Sequence, residues 1–397
     1  MGETRVLILG GGAVGTMVAN KLARDLRTDI ARGKVSVTVL DKSPTAVNQA
    51  GFTFVPFGYY TEEDLTRPRA MLLSPRVRAF IGPEGEVVRV DLANREVTVK
   101  SGRKFTYDYL LISTGCALDP SAVPGLKNDF SSFYTSIEDA KRLGEKIKTM
   151  SGGKIVVMTP KMPIACPGAP GKFTVILDDY LRGVKQNRED FDITFLWPVP
   201  NIGPPAYNEN ITENFKARGI RDVREFQLER VDEERKEVVS KDGERYKYDL
   251  LVTIPPHRGV KALKDSGITD GDGWVPSDKY TLQYRGPAGN YDEVFVAGDA
   301  GPKEIPKMGV TSHFQAFVVG ENILRDIRGV GDMVLYRGHM GCPYVGGAPT
   351  PASRGAATLA VWKYGVPLGP FKPARLGWRV YRMYYYIFWD STLKALM

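Results

Sequence analysis

The chain is short of the two residue types that most often build disulfide scaffolds and metal centres. It has three cysteines and three histidines in 397 residues. Three cysteines are too few for a disulfide framework, and the odd number leaves at least one sulfur for chemistry or burial. The histidines are scattered without ligand spacing, so no metal site is expected. No run approaches the ~18 consecutive apolar residues that a membrane-crossing helix needs. The opening stretch, TRVLILGGG, runs straight into a strand, with no basic leader ahead of a separate apolar core, so no secretory signal is expected. Excess charge is also missing from most of the chain. Net charge is +8, from 54 basic and 46 acidic residues, yet Gly331 to Met397 alone supplies +6 of it. A nucleic-acid-binding face spread over the body is thereby excluded. What remains, 43% hydrophobic and 25% charged residues, is ordinary globular composition in a chain long enough for two or three domains.

The clearest local pattern is RVLILGGGAVGTMVANKLARDL, which reads as strand, glycine turn, helix. Gly10 permits the tight turn, Gly12 lets backbone N–H groups approach a pyrophosphate, and Gly15 lets helix and strand pack closely. The next strand, KVSVTVLDKS, ends at Asp41. An acid there accepts from a ribose diol, though a strand-ending Asp also serves as a turn cap. This motif does not separate NAD from FAD. Two later strand ends do: Thr114-Gly115 in YDYLLISTG and Gly298-Asp299 in VFVAGDAG. That pair resembles the FAD-binding pattern of the two-dinucleotide-domain flavoproteins of the disulfide-reductase superfamily, which implies FAD.

SGRKFTYDYLLIST, from Ser101, and DGERYKYDLLVTI, from Asp242, share a Gly, a Tyr-Asp five residues later and an apolar strand, 141 residues apart. Two similar α/β modules in tandem explain this. Residues 1–116 and 285–330 form the expected FAD-binding Rossmann-like domain. Residues 117–284 form a second Rossmann-like domain, with a helix around Phe173 to Gln186. A helix from about Thr311 to Ile327 returns the chain to the first domain. Residues 331–397 are a separate region, rich in Gly and Pro and then in aromatics.

The second module also lacks something. After the strand KIVVM, where a nicotinamide-dependent enzyme carries a second GxGxxG, stands TPKMPIACPGAPGK. Pro160, Pro163, Pro167 and Pro170 remove backbone donors that a pyrophosphate needs, so NAD(P)H is not the expected electron donor. The stretch PIACPGAPGK resembles the cysteine segment of the sulfide:quinone oxidoreductases. IPPHR, at Ile254 to Arg258, resembles their Pro-Pro-His turn. EIPKMGVTSHFQAFVVGENI and GHMGCPYVGG resemble the segment before the last flavin helix and the segment carrying the last active cysteine.

The resemblance implies that Cys166 and Cys342, 176 residues apart, form a redox pair on one face of the flavin. It implies that Lys307 lies near the N1–C2=O edge of the ring, with Gly309 beside it. It implies that Cys116 is the third family cysteine, which in some members bonds the flavin covalently and in others assists sulfur handling; a small packing residue is the other reading. The two loop cysteines also make chemical sense by themselves. Hydrosulfide attacks a disulfide sulfur, leaving a persulfide on one cysteine and a thiolate on the other. Cys342 reads as part of a glycine-flanked loop. His257 is open between proton handling and a turn histidine satisfied by backbone. His313 stands where the family more often has an acid. His339, three residues before Cys342, either lowers a thiol pKa or sits in solvent.

The tail LGWRVYRMYYYIFWDSTLKALM holds seven aromatics between Trp378 and Trp389, with Arg375, Arg379 and Arg382 on one helical face. Trp and Tyr favour the bilayer interface and arginines pair with anionic headgroups, so a helix lying in one leaflet is expected; packing on the body is the alternative. Tyr344, Phe371 and the Tyr384 to Tyr386 cluster around Tyr385 are candidates to flank a quinone.

The expected protein is thus a monotopic membrane flavoenzyme that oxidises sulfide to polysulfide and reduces quinone, on a membrane side the sequence does not specify. A homo-oligomer is compatible with it. The competing readings are a flavocytochrome c-type sulfide dehydrogenase subunit, a type II NADH:quinone oxidoreductase-like enzyme, and a non-enzymatic FAD-binding sulfur carrier.

Overall fold

A computed structural model describes residues 2–127, 130–351, 353–369 and 371–396. Its frame is two largely parallel sheets. Strands β1 (Thr4–Leu9), β2 (Val35–Asp41), β3 (Arg78–Ile81) and β4 (Tyr109–Ile112) begin the first; β5 (Gly153–Met158), β6 (Phe191–Leu196), β7 (Arg221–Val223) and β8 (Leu250–Thr253) make the second, in order β7-β6-β5-β8. The hairpin β9 (Gln283–Gly286) and β10 (Gly289–Val296) then returns to the first sheet, giving the order β9-β10-β4-β1-β2-β3. Apart from that antiparallel edge hairpin, every pairing in both sheets is parallel. The strands are continuous apolar runs because both faces of each sheet are covered, one by helices and the other by a three-stranded meander.

The repeated Tyr-Asp signature has one geometry in both places. Each closes a three-stranded meander, and each Asp ties that meander to the start of a parallel strand. Asp108 accepts from the Arg5 N–H and Asp249 from the Lys154 N–H, both at 2.7 Å. Tyr107 and Tyr248 are buried beside them, and their N–H groups donate to Arg95 and Lys236, residues with φ of 52° and 51°.

Four helices matter for the site. Helix α1 (Ala13–Asp25) follows β1, α2 (Ala169–Tyr180) follows β5, α3 (Gly309–Arg328) leads out of the first sheet, and α4 (Arg375–Ile387) closes the chain. Helix α2 starts four residues before the expected Phe173, because Pro170 falls in its first turn, where a missing N–H costs nothing. It is buried on every side from Ala169 to Asp179 and runs on into a π turn, Leu181–Lys185.

The region after residue 331 departs most from expectation. GHMGCPYVGG is no loop: it lies in β11 (His339–Thr350), which pairs antiparallel with β12 (Ser353–Lys363). Among the described residues no strand pairs with the far edge of β11, so Pro343 and Pro349 are tolerated there. Its Gly341 is packed against the next element, since a Cβ at that position would lie 2.9 Å from Val310 and 3.1 Å from the Ala360 carbonyl.

The aromatic tail is also turned around. Trp378, Tyr381 and Tyr385 of α4 are buried against Phe54 and Tyr60, and Arg382 lies 4.5 Å above the Tyr60 ring instead of facing outward with Arg375 and Arg379. Among the described residues no helix is long and apolar enough to cross a membrane.

The glycine turn yields a stability test. A Cβ on Gly15 would sit 1.9 Å from the Gly10 carbonyl oxygen and 3.0 Å from the side chains of Ile8 and Ser113, whereas a Cβ on Gly12 meets nothing within 4 Å. Gly15→Ala is expected to lower unfolding free energy by about 3 kcal/mol in denaturant titration, and Gly12→Ala by under about 1 kcal/mol.

Candidate active site

Gly10, Thr114 and Gly298 stand directly beyond the carboxyl ends of β1, β4 and β10, three neighbours in the first sheet. In an open parallel sheet that edge is where a ligand binds. Helix α1 opens there without a side-chain cap at Gly12, leaving its first N–H groups for an anion. Gly10 has φ +91° and Gly115 φ +70°, and the ground over Gly12 and Gly115 is open. A cavity of about 390 Å³ runs past Gly10, Asp41 and Thr114, and the buried Thr114 Oγ1 has no hydrogen-bond partner. This edge fits an extended dinucleotide. Asp41 is partly committed already: it accepts from the N–H groups of Gly11 at 2.7 Å and Ser43 at 2.8 Å, and lies 3.5 Å from Arg69.

Cys116, Asp299, Lys307 and His257 cluster at the same edge. Burial pushes the Asp299 carboxyl up, with Lys307 opposing, and pushes the Cys116 thiol up, with Asp299 adding to it. Cys116 is thus a poor nucleophile until a cation or ligand joins it. Lys307 is buried. Its ammonium donates to the Gly301 carbonyl at 3.0 Å and sits 3.9 Å above the Trp274 ring, and burial depresses its pKa. His257 Nδ1 is 2.9 Å from the Pro255 carbonyl, and burial lowers its pKa to about 4. It is therefore neutral at physiological pH, with Nδ1–H donating. Gly309 starts α3, which also has no side-chain cap. Burial lowers the pKa of His313, and His339 packs 4.9 Å from Phe314.

Cys166 and Cys342 meet. The first lies in the loop between β5 and α2, the second in β11. Cys166 has φ +47°, a left-handed conformation uncommon outside glycine, and its backbone is held on both sides. Its N–H donates to the Lys307 carbonyl, and its own carbonyl accepts from Ala169 N–H at 2.8 Å and from the Tyr134 hydroxyl at 3.1 Å. This bond ties the cysteine loop to the sheet edge described above.

The residue missed in the sequence is Lys172. Its Nζ is 3.5 Å from Cys166 Sγ, 4.0 Å from Cys342 Sγ and 3.4 Å from the Tyr381 hydroxyl, and the side chain is 3% exposed. The signal was visible: a single cation in the apolar run APGKFTVIL, six residues after a cysteine. The hydrogen bond from Cys342 holds Cys166 well below the ordinary thiol range; burial opposes this and Lys172 reinforces it. Cys342, the donor, is pushed well up by the same bond and by burial. Burial opposes the charge on Lys172, but the two sulfurs outweigh it and raise its pKa. One proton shared by two sulfurs under one ammonium is the arrangement of a reactive dithiol. Burial also raises the phenols of Tyr134, Tyr207, Tyr381 and Tyr385 around it, so all four stay protonated.

The three quinone candidates do not come together. Tyr344 and Phe371 form one aromatic group with Tyr207, their ring centroids 5.1 and 6.0 Å from Phe371. Tyr385 belongs to the other, its hydroxyl 3.2 Å from that of Tyr381 and donating to Ala50 at 3.0 Å.

A lysine that stabilises a thiolate lowers the thiol pKa, so its removal must raise it. In Lys172→Met the pH midpoint for alkylation of reduced Cys166 is expected to rise by at least about one unit, equivalent to ~1.4 kcal/mol. An unchanged midpoint, read by mass spectrometry of the labelled peptide, would remove Lys172 from the site.

Residues 4–158 match the family model described as pyridine nucleotide-disulphide oxidoreductase. The mitochondrial sulfide:quinone oxidoreductase of Dictyostelium discoideum is 27% identical, over 99% of this chain and 86% of its own length. The mitochondrial sulfide:quinone oxidoreductase of Mus musculus is 26% identical, over 86% of this chain and 75% of its own. The X-ray structure of the sulfide:quinone oxidoreductase from Aquifex aeolicus superposes with a TM-score of 0.82 at 19% identity, covering 99% of this chain and 92% of that one, and so shares the fold. Along nearly its full length the chain is similar in sequence to sulfide:quinone oxidoreductases, it shares the fold of one of them, and its residues 4–158 match the pyridine nucleotide-disulphide oxidoreductase model.

Proposed function

We propose that the chain oxidises hydrosulfide at Cys166 and Cys342 and delivers the electron pair through FAD to a membrane quinone. The observation that carries this reading is the pair of sulfurs gathered under Lys172, in the loop where a second nucleotide cradle would otherwise lie. Residues 1–116 with 285–330 are assigned to FAD binding, 117–284 to the cysteine-loop domain, and 331–397 to the quinone and membrane region.

The uncapped start of α1, with Gly10, Gly12 and Gly15, would hold the phosphates of FAD. Asp41, Thr114 and Gly115 would flank its adenosine half. Gly298, Asp299, Lys307 and Gly309 would flank its flavin half, and Cys116, which interacts with Asp299 and Lys307, would be the thiol available there for attachment. FAD bound there supplies a two-electron acceptor that returns the dithiol to a disulfide and passes the pair to quinone.

The protein's own part begins with a Cys166–Cys342 disulfide. Hydrosulfide attacks one sulfur and the S–S bond breaks. The lower-pKa thiol is the better leaving group, so attack falls on Cys342 and Cys166 departs as thiolate. Cys342 then carries the persulfide. Lys172 is placed to hold the Cys166 anion, and the Tyr381 hydroxyl accepts from the same ammonium. A second hydrosulfide attacks the outer sulfur of that persulfide: an S–S bond forms between the two sulfide-derived atoms, the bond to Cys342 breaks, and a two-sulfur polysulfide leaves with Cys342 restored as a thiolate.

The outward face of α4 supports peripheral attachment to a membrane. Leu376, Val380 and Met383 are 70%, 46% and 54% exposed, and Leu359, Val366 and Leu368 are exposed on and beside the neighbouring hairpin, with Arg375 and Arg379 at the border. Aliphatic side chains entering the acyl boundary with arginines at headgroup level fit a helix lying in one leaflet.

Two measurements test these assignments. Anaerobic sulfide should bleach the bound flavin while NADH does not, and Cys166→Ser or Cys342→Ser should cut quinone reduction by a factor on the order of 10³ with FAD retained. Rapid bleaching by NADH, or either serine variant at parental rate, overturns the reaction. The double variant Leu376→Glu with Met383→Glu should weaken vesicle sedimentation at least about tenfold, since each apolar side chain contributes roughly 1.5–3 kcal/mol when buried. Undiminished sedimentation would remove α4 from the membrane contact.

A further inference from the structure

A second polar centre lies between the same two elements that carry the cysteines. Helix α2 ends on Asp178 and Asp179, two turns beyond Lys172. Asp178 is fully buried and accepts from three guanidinium groups: Arg182 at 2.9 Å, Arg188 at 2.5 Å and Arg218 at 2.7 Å. Asp179 accepts from Arg218 at 2.7 Å and from the Ala348 N–H of β11 at 2.6 Å. Arg218 also reaches the strand directly, donating to the Gly346 carbonyl at 3.1 Å. Asn214, which accepts from Arg218, donates to the same carbonyl at 3.0 Å and to the Tyr344 hydroxyl at 3.1 Å.

These bonds fall at a break in the ladder. The register of β11 against β12 shifts between Val345 and Gly347, leaving Gly346 as an extra residue, and among the described residues no strand pairs with the outer edge of β11. The clamp therefore satisfies backbone groups that no neighbouring strand takes up. Gly347 sits close against it, since a Cβ there would be 3.3 Å from Arg218 and 3.4 Å from Asp179. Cys342 lies a few residues upstream on this strand, and Cys166 lies just ahead of α2. Two cross-links thus join α2 to β11: one through Lys172 and the sulfurs, the other through Arg218.

We infer that Arg218, with Asp178 and Asp179, is a positioning residue for the sulfur pair: it fixes the free edge of β11 to α2 and so sets how closely Cys342 approaches Cys166. The inference rests on the reading that these two cysteines are the redox pair. Closing a disulfide between segments far apart in sequence depends on how well they are held together before the bond forms. Loosening the clamp should make the Cys166–Cys342 bond harder to close and easier to reduce, without touching the flavin edge. Lysine cannot replace the fork, because one ammonium does not reach two carboxylates and a carbonyl in a fixed plane.

The test is the dithiol–disulfide equilibrium of FAD-loaded protein against dithiothreitol, read by alkylation and mass spectrometry of the Cys166 and Cys342 peptides. Arg218→Gln should lower the equilibrium constant for disulfide formation at least tenfold, equivalent to about 30 mV, with parental FAD content. Arg218→Lys should retain the fold yet recover only part of that loss. Should Arg218→Gln fail to fold, Asn214→Ala removes the bonds to Gly346 and Tyr344 without stranding a charge, and should shift the equilibrium in the same direction by about threefold. Folded, flavin-loaded Arg218→Lys and Asn214→Ala proteins that both match the parent would overturn the clamp alone. A parent that forms no Cys166–Cys342 disulfide would overturn the redox-pair reading and this inference with it.

Discussion

A buried ammonium between two sulfurs sets the terms for the rest of this structure. Lys172 is almost fully withdrawn from water, and a charge so placed is stable only beside an anion or well-directed acceptors. Its neighbours are two cysteines and a phenol that stays protonated. The anion must come from sulfur. In the reduced protein one thiolate faces Lys172 and the buried charges balance. In a disulfide that thiolate is gone, and Lys172 keeps only Tyr381 and its ring. The pocket thus favours whichever state carries negative charge on sulfur. A nucleophile that opens the disulfide restores the balance, so the electrostatics of the site pull in the direction of sulfide attack.

The same requirement explains why the cysteines can lie so far apart in the chain. An apolar helix buried on all sides brings Lys172 to the centre, and the cysteine loop ahead of it is held by the backbone of Lys307 on one side and Tyr134 on the other. Lys307 therefore contributes through its carbonyl to the sulfur pair and through its side chain to the flavin edge. The strand that delivers Cys342 carries a bulge and is held by the side chains of Asp179, Asn214 and Arg218. Chemistry here is assembled at a junction of three chain segments, each supplying one part.

How legible this was in the sequence depended on range. The glycine turn, the parallel strands and the Tyr-Asp repeat were readable, because each rests on contacts between near neighbours or on one face of a strand. Cys166 and Cys342 were singled out through a family resemblance, not by geometry. β11 was read as a loop, because glycine and proline oppose strand propensity; its pairing with β12 and its packing against Val310 reverse that locally adverse choice. Lys172 went unnoticed for the opposite reason. A lysine near a helix start is ordinary on a surface, and only tertiary burial makes it exceptional. The tail was read by composition, which records aromatic density but not direction. Tyr381 and Tyr385 turned inward onto Phe54, while Tyr386 and the aliphatic residues Leu376, Val380 and Met383 turned out.

That inversion bears on where a flat quinone ring can sit. Tyr344 is 2% exposed, and its hydroxyl is fixed by Asn210 and Asn214. Tyr385 is 3% exposed and fixed by Ala50 and Tyr381. Both rings are buried and their hydroxyls are already partnered. Phe371 differs. It is only partly buried, has no polar atom to satisfy, touches both Tyr344 and Tyr207, and lies between β12 and the start of α4 in sequence. Tyr207 in turn approaches the Gly168 carbonyl at the mouth of the cysteine loop. Of the three aromatic candidates, Phe371 alone is only partly buried, and through Tyr207 it connects to the mouth of the cysteine loop.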